Sequence, residues 1–172
     1  MNSDETILVN KVAQSALITI KPEDFLPKET IKPFDIKQFL FRELLLKELD
    51  FRAAMKALDW NEYRDCILAV HCSNDAIIPT WAYMLITQHA HSHVKRILFG
   101  TEEQVLIQLM HETISTLNFG EFKDKKIVIK GCSERFVPAS AYLELTNQLL
   151  PYASSIMYGE PCSTVPIYKK KN

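Results

Sequence analysis

Three Cys-Ser dipeptides, Cys72-Ser73, Cys132-Ser133 and Cys162-Ser163, are each followed by a proline within a few residues. A thiolate is both a nucleophile and a soft metal ligand. Three convergent thiolates repel one another unless a soft cation shares them, which selects zinc or an iron–sulfur cluster over magnesium or calcium. There is no C-x-x-C pair, so the separations carry no metal signature by themselves. The chemistry depends on whether the fold brings the three sulfurs together.

The elements around them repeat. Cys66–Gln88 and Lys126–Gln148 both read as an apolar strand, a Cys-Ser tip and a proline-started helix, and at an offset of 59 residues Pro79, Ala82 and Tyr83 meet Pro138, Ala141 and Tyr142. The same offset pairs Ile97-Leu98-Phe99-Gly100 with Ile156-Met157-Tyr158-Gly159, while Cys72 and Cys132 sit one residue out of step. This predicts a duplicated strand–helix–strand unit with right-handed crossovers. If the copies share one sheet about a two-fold, the two cysteine-tipped strands become central neighbours at the switch point where open parallel sheets bind ligands. Cys162, just past the last strand, then joins Cys72 and Cys132 as a metal ligand.

Ser73, Ser133 and Ser163 are expected to donate hydrogen bonds to the sulfurs, and Asp75, Glu134 and Glu160 are candidate further ligands. Glu103 holds the place of Cys162 in the first copy, although an acid in the first turn of a helix is the simpler account. Cys66 begins its strand at the far end and reads as a core thiol. His71 points to the opposite strand face from Cys72. His89 and His93 share a helix face at i,i+4, but histidines at a helix carboxyl end are more often dipole partners. Arg135, the one basic residue inside a thiol loop, suits a carboxylate or phosphate.

Several chemistries are missing. There is no G-x-G-x-x-G, Walker or G-x-S-x-G motif, and the residues six positions beyond the first two thiols are Ile78 and Pro138 rather than the arginine of a cysteine phosphatase.

Before the repeats, a short helix is expected at Ile7–Ala13, a strand at Ala16–Ile20 and an extended, proline-broken connection from Lys21 to Pro33. Asp35 is the expected N-cap of a helix over Ile36–Leu46, of which Leu44-Leu45-Leu46 is equally compatible with a strand, and Asp50 of a second helix through about Leu58. Thr101 and Gln104 form a capping box for a helix over Glu102–Leu117, and Ser155–Tyr158 is expected to be the last strand, followed by the segment from Gly159 to Pro166. The expected fold is α/β, a mostly parallel sheet with helices on both faces, as one domain over residues 1–172. It divides into an N-terminal α/β extension (1–62), a first repeat (63–118) and a second (119–172).

A hydrophobic share of 47% with 24% charged residues is that of a globular chain, and a net charge of −1 argues against a general nucleic-acid binder. The Lys169-Lys170-Lys171 run reads as a solvated tail. Without a signal peptide or membrane-spanning run, the chain is expected in the cytoplasm with reduced thiols.

HCSNDAIIPTWAYM, KGCSERFVPASAY, SIMYGEPCSTVPIYKKK, FDIKQFLF and DFRAAMKALDW resemble the Bacteroidota family catalogued as domain of unknown function 2480, over nearly the whole chain. The family carries over no catalytic roles. The resemblance implies genes beside those of sulfur mobilisation for iron–sulfur cluster assembly, and so assembly proteins as partners. The leading expectation is a metal- or iron–sulfur-binding accessory protein using Cys72, Cys132 and Cys162. The alternatives are a thiol-dependent enzyme or sulfur carrier with Cys132 or Cys162 as nucleophile, and an interaction or homodimerisation module using the apolar residues around Trp60, Trp81 and Tyr158.

Overall fold

In the computed structural model, which describes residues 17–160 and 162–171, strands and helices alternate as expected, but in two sheets. The helix expected at Ile7–Ala13 lies outside the described residues. Along the chain come β1 (Leu17–Ile20), β2 (Ile31–Asp35), α1 (Glu48–Ala57), β3 (Ile67–His71), α2 (Thr80–Ala90), β4 (Arg96–Phe99) and α3 (Glu102–Ser115). β5 (Lys126–Ile129), α4 (Ala139–Leu149), β6 (Ser155–Glu160) and β7 (Ser163–Lys169) complete it. The sheets run β1-β5-β6-β7 and β2-β3-β4, and every pair is parallel except β6 with β7.

The α/β class and the mostly parallel pairing are those the sequence predicts. The predicted strand order is not. β3 and β5 belong to different sheets, because each is already flanked on both edges: β3 by β2 and β4, β5 by β1 and β6. Each duplicated unit therefore owns a third parallel strand, contributed by the segment before the repeats. Contacts divide the chain into two compact units, Met1–Leu26 with His111–Asn172 and, inserted between them in sequence, Pro27–Met110. We call these the split and the inserted unit.

The duplication extends to individual backbone hydrogen bonds. Asp65 and Asp124 both take left-handed φ values, 59° and 58°. Their amides donate to His93 O (3.0 Å) and Tyr152 O (2.9 Å), and Lys95 N to Cys66 O matches Ser154 N to Lys125 O, both 2.8 Å. Gly100, just past β4, and Gly159, the next-to-last residue of β6, share φ values of 128° and 125°. The 3-10 turns Trp60–Tyr63 and Phe119–Phe122 correspond too, each capped by a side chain, Asp59 on Asn61 N and Asn118 on Gly120 N.

β3 shows why its strand reads as continuously apolar. Leu68 and Val70 join Phe34, Phe51, Met55, Trp60 and Ile86 on one face, while Ile67 and Ala69 meet Val105 and Leu109 of α3 on the other. Period-two alternation sends neighbouring side chains to opposite faces, so both must be apolar. Trp60 is 6% exposed and its indole N–H donates to Met55 O at 3.0 Å. Trp81 packs against the same cluster. Trp60 is core and Trp81 half-buried, whereas Tyr158 is exposed.

Three local expectations change. The helix over Ile36–Leu46 is only a 3-10 turn, Ile36–Phe39, with Asp35 accepting from Lys37 N at 2.9 Å. It stops because Phe41 bridges Leu45 around left-handed Arg42 and Glu43. Lys21–Pro33 contains a 3-10 turn (Pro22–Phe25) and the start of β2, where Pro33 is tolerated because β2 is an edge strand. The segment after Gly159 is a hairpin: β7 returns antiparallel on β6. The Thr101–Gln104 capping box forms as predicted, with bonds of 2.9 and 3.3 Å.

Gly159 makes that hairpin possible, since a Cβ there would lie 2.5 Å from Ser163 O at φ 125°. Gly159→Ala is expected to destabilise the chain by about 2 kcal/mol or more in thermal unfolding. Gly120→Ala, which meets only a side-chain oxygen at 3.2 Å, should cost far less.

Candidate thiol site

All four cysteines are free thiols. Cys66 is 3% exposed in the core of the inserted unit, and burial pushes its thiol above the ordinary range. Cys72 follows the carboxyl end of β3 and is half-buried; Cys132 follows the carboxyl end of β5 and is exposed; Cys162 sits exposed in the turn between β6 and β7. β5 and β6 are parallel neighbours with Ile129 opposite Tyr158, so Cys132 and Cys162 leave one sheet at the same edge. Cys72 belongs to the inserted unit.

Each of the first two thiol loops is held by a carboxylate from just where the unit's first strand gives way to a 3-10 turn, Asp35 at the end of β2 and Glu23 within the turn after β1. In the inserted unit Asp35 accepts from Ser73 N at 3.0 Å and from the Ser73 hydroxyl. In the split unit Glu23 accepts from Glu134 N at 3.3 Å and lies 4.0 Å from Lys130 Nζ. The serine hydroxyls are thereby accounted for: Ser73 donates to Asp35 and Ser133 to Arg135 O, so neither donates to a sulfur as expected. Asp75, Glu134 and Ser163 are exposed, as is Glu103 in the first turn of α3.

The one-residue slip between Cys72 and Cys132 has a steric cause. Gly131 occupies the place of Cys72, and a Cβ on it would lie 2.7 Å from Cζ of Tyr158. The Tyr158 ring covers that backbone and meets Tyr142 edge-on at 5.9 Å, as Phe99 meets Tyr83 at 5.6 Å. The thiol moves one position along and still reaches its tyrosine. Burial pushes the Tyr83 hydroxyl up, with the Cys72 charge adding to it. Tyr142 is raised by burial, then by Tyr158, Cys132 and Glu23. An apolar hollow of about 560 Å³ begins at Tyr142 and Tyr158 and runs past Ile129, Leu143, Leu150 and Ile167.

Glu160 ends β6 two residues before Cys162, and its Oε1 is buried with no hydrogen-bond partner among the described residues. Among those residues no three His, Cys, Asp or Glu side chains form a group that could hold a metal ion. His89 stacks on Trp60 at 6.2 Å, which gives it a packing role, and His71 ends β3 with Nδ1 3.5 Å from Ala69 O. One pair escaped the sequence reading: His111 of α3 meets Glu144 of α4 at 2.8 Å, and Ser115 also donates to Glu144 at 3.4 Å. The i,i+4 spacing of His111 and Ser115 was the only signal of it.

Residues 6–170 match the family described as protein of unknown function, DUF2480. The chain belongs to that family. No curated protein and no solved structure matches it. The members' shared pattern therefore supplies no substrate, and no helix among the described residues is long and apolar enough to cross a membrane.

Asp35 supports the Cys72 loop most directly. Burial pushes its carboxyl up, but hydrogen bonds from Ser73 and Lys37, with the charge of His71, outweigh that and hold it below the ordinary 3.8. A depressed carboxylate stabilises the fold above its unfolded value and loses that contribution as pH falls toward the folded one. Asp35→Ala should cost about 1–2 kcal/mol in urea unfolding at pH 7, and the difference from wild type should shrink below pH 3.8.

Proposed function

We propose that the chain is a thiol-based sulfur carrier in iron–sulfur biogenesis, with Cys132 and Cys162 as its working groups. The observation that supports this best is the placement of two exposed thiols just beyond adjacent parallel strands, on one edge of one sheet. The hollow along α4, lined by Tyr142 and Tyr158, gives the same unit an apolar recess for part of a donor or acceptor. The sulfur-mobilisation setting implied by the family fits the chemistry, and the cytoplasm is the compartment in which the four thiols stay reduced.

The step needs no metal. A Cys132 thiolate attacks the outer sulfur of a donor persulfide R–S–SH. The donor S–S bond breaks, a Cys132–S–SH persulfide forms, and R–S⁻ leaves and takes up a proton. An acceptor thiolate repeats the attack on the outer sulfur and returns Cys132 to its starting state. Cys162 offers a second acceptor on the same edge. Cys72 repeats the position of Cys132 in the other unit but is half-buried.

A second reading, zinc or an iron–sulfur cluster held through the thiols, draws support from Glu160, whose buried oxygen lacks a partner beside Cys162. Its ligands would be drawn from Cys132, Cys162 and Glu160, all in the split unit.

Both readings are tested on protein purified anaerobically. With glutathione persulfide as donor, mass spectrometry should find the added sulfur on Cys132 or Cys162 and not on Cys66. Alkylation near neutral pH should modify those two thiols at least about tenfold faster than buried Cys66. Uniform slow labelling overturns the carrier reading. Stoichiometric zinc or iron that is lost in Cys132→Ser and Cys162→Ser replaces it with metal ligation.

A further inference from the structure

The lysine run at the carboxyl end is solvated, as read from sequence, but it is not a loose tail. Lys169 is the last residue of β7, and the Lys170 amide donates to Ser154 O at 2.9 Å. Register then sets a row across three strands: Lys126 on β5 opposes Ser155 on β6, which opposes Lys169 on β7. Directly opposed residues share a face, and neighbouring strands lie about 4.8 Å apart. Two ammonium stems therefore rise about 10 Å apart on either side of the Ser155 hydroxyl.

These residues line a hollow of about 380 Å³ with Ser154, Lys170, Lys171 and Asp124. It lies at the amino ends of β5 and β6, the opposite edge from the thiols. Four lysines face one carboxylate, and that carboxylate is engaged, Asp124 Oδ1 standing 3.3 Å from Lys170 Nζ. The fold does not require the concentration. In the inserted unit the same register positions are Ile67 and Arg96, the matching Asp65 is paired with Lys95 at 3.6 Å, and no strand corresponds to β7. Like charges gathered without structural need repel one another, and an anion removes that repulsion.

We propose that this hollow binds a small ligand carrying two adjacent tetrahedral oxyanions, of the diphosphate class. Lysine ammonium groups are the point-charge partners of phosphate oxygens, and serine hydroxyls add neutral donors. A spacing of two lysines about one serine suits two linked anionic groups better than one. A long polyanion such as nucleic acid is disfavoured, because the basic residues are confined to one hollow in a chain of net charge −1.

The test is calorimetric titration of the full chain with inorganic diphosphate, with inorganic phosphate and sulfate as separate arms. Diphosphate should bind saturably at submillimolar concentration, more tightly than either single oxyanion, and weaken as salt rises. Lys126→Ala and Lys169→Ala should each weaken it about tenfold, the loss of one charge-assisted contact. Lys126→Arg should retain most of it, and Lys28→Ala, at an exposed lysine of the inserted unit, should change nothing. Circular dichroism separates lost binding from lost folding, and amide NMR shifts on diphosphate addition should localise to Ser154, Ser155 and Lys169–Lys171. Absence of saturable binding overturns the proposal, as does equal affinity for sulfate and diphosphate. Binding undiminished in a folded Lys126→Ala/Lys169→Ala double variant overturns it too.

Discussion

Both units are organised by a central parallel strand that must be covered on four sides. β3 has β2 and β4 on its edges, and Leu68, Ala69 and Val70 are almost completely removed from water on its two faces. β5 has β1 and β6 beside it, with Ile127, Val128 and Ile129 buried likewise. A strand so enclosed can carry polar chemistry only at its ends. Beyond the carboxyl ends the chain has to turn toward a helix, and there Cys72 and Cys132 emerge.

The duplication converts that constraint into two related loops with different surroundings. Each is tied to a carboxylate near the end of the unit's first strand, but Asp35 binds Ser73 in one and Glu23 binds Glu134 in the other. Tyr158 in place of Phe99 demands a glycine beneath it, and the thiol shifts by one. The split unit then adds β7, which brings Cys162 to the thiol edge and lysines to the opposite edge. The asymmetry between the copies is where the chemistry lies.

Much of this was legible in the residues. The helices after Pro79 and Pro138, the capping box at Thr101 and the parallel β3–β4 and β5–β6 pairs follow from apolar period and capping chemistry that act locally. What was not legible depends on partners far away in sequence. IKPFD looks like broken connection because its proline hides the edge strand β2, and the strand expected at Ala16–Ile20 gave no sign that β5 is its partner, so the separation of β3 from β5 was overlooked. The serine hydroxyls were assigned to the sulfurs for want of Asp35 and the Arg135 carbonyl, which only the fold brings near. Lys169 was read as tail rather than strand because its register against Ser155 and Lys126 is a property of three strands together.

The insertion of one unit within the other has a consequence for how the chain comes into being. β2, β3 and β4 all lie between Pro27 and Met110, so the inserted sheet can assemble from contiguous chain as it leaves the ribosome. β1 is made earlier, yet its partner β5 begins only at Lys126. Leu17–Ile20 must therefore wait, an apolar edge without a ladder, until the whole intervening unit has been synthesised. Closing so long a loop is slow and leaves that edge open to wrong partners meanwhile. A unit that folds promptly in between keeps the waiting segments tethered and shortens the search.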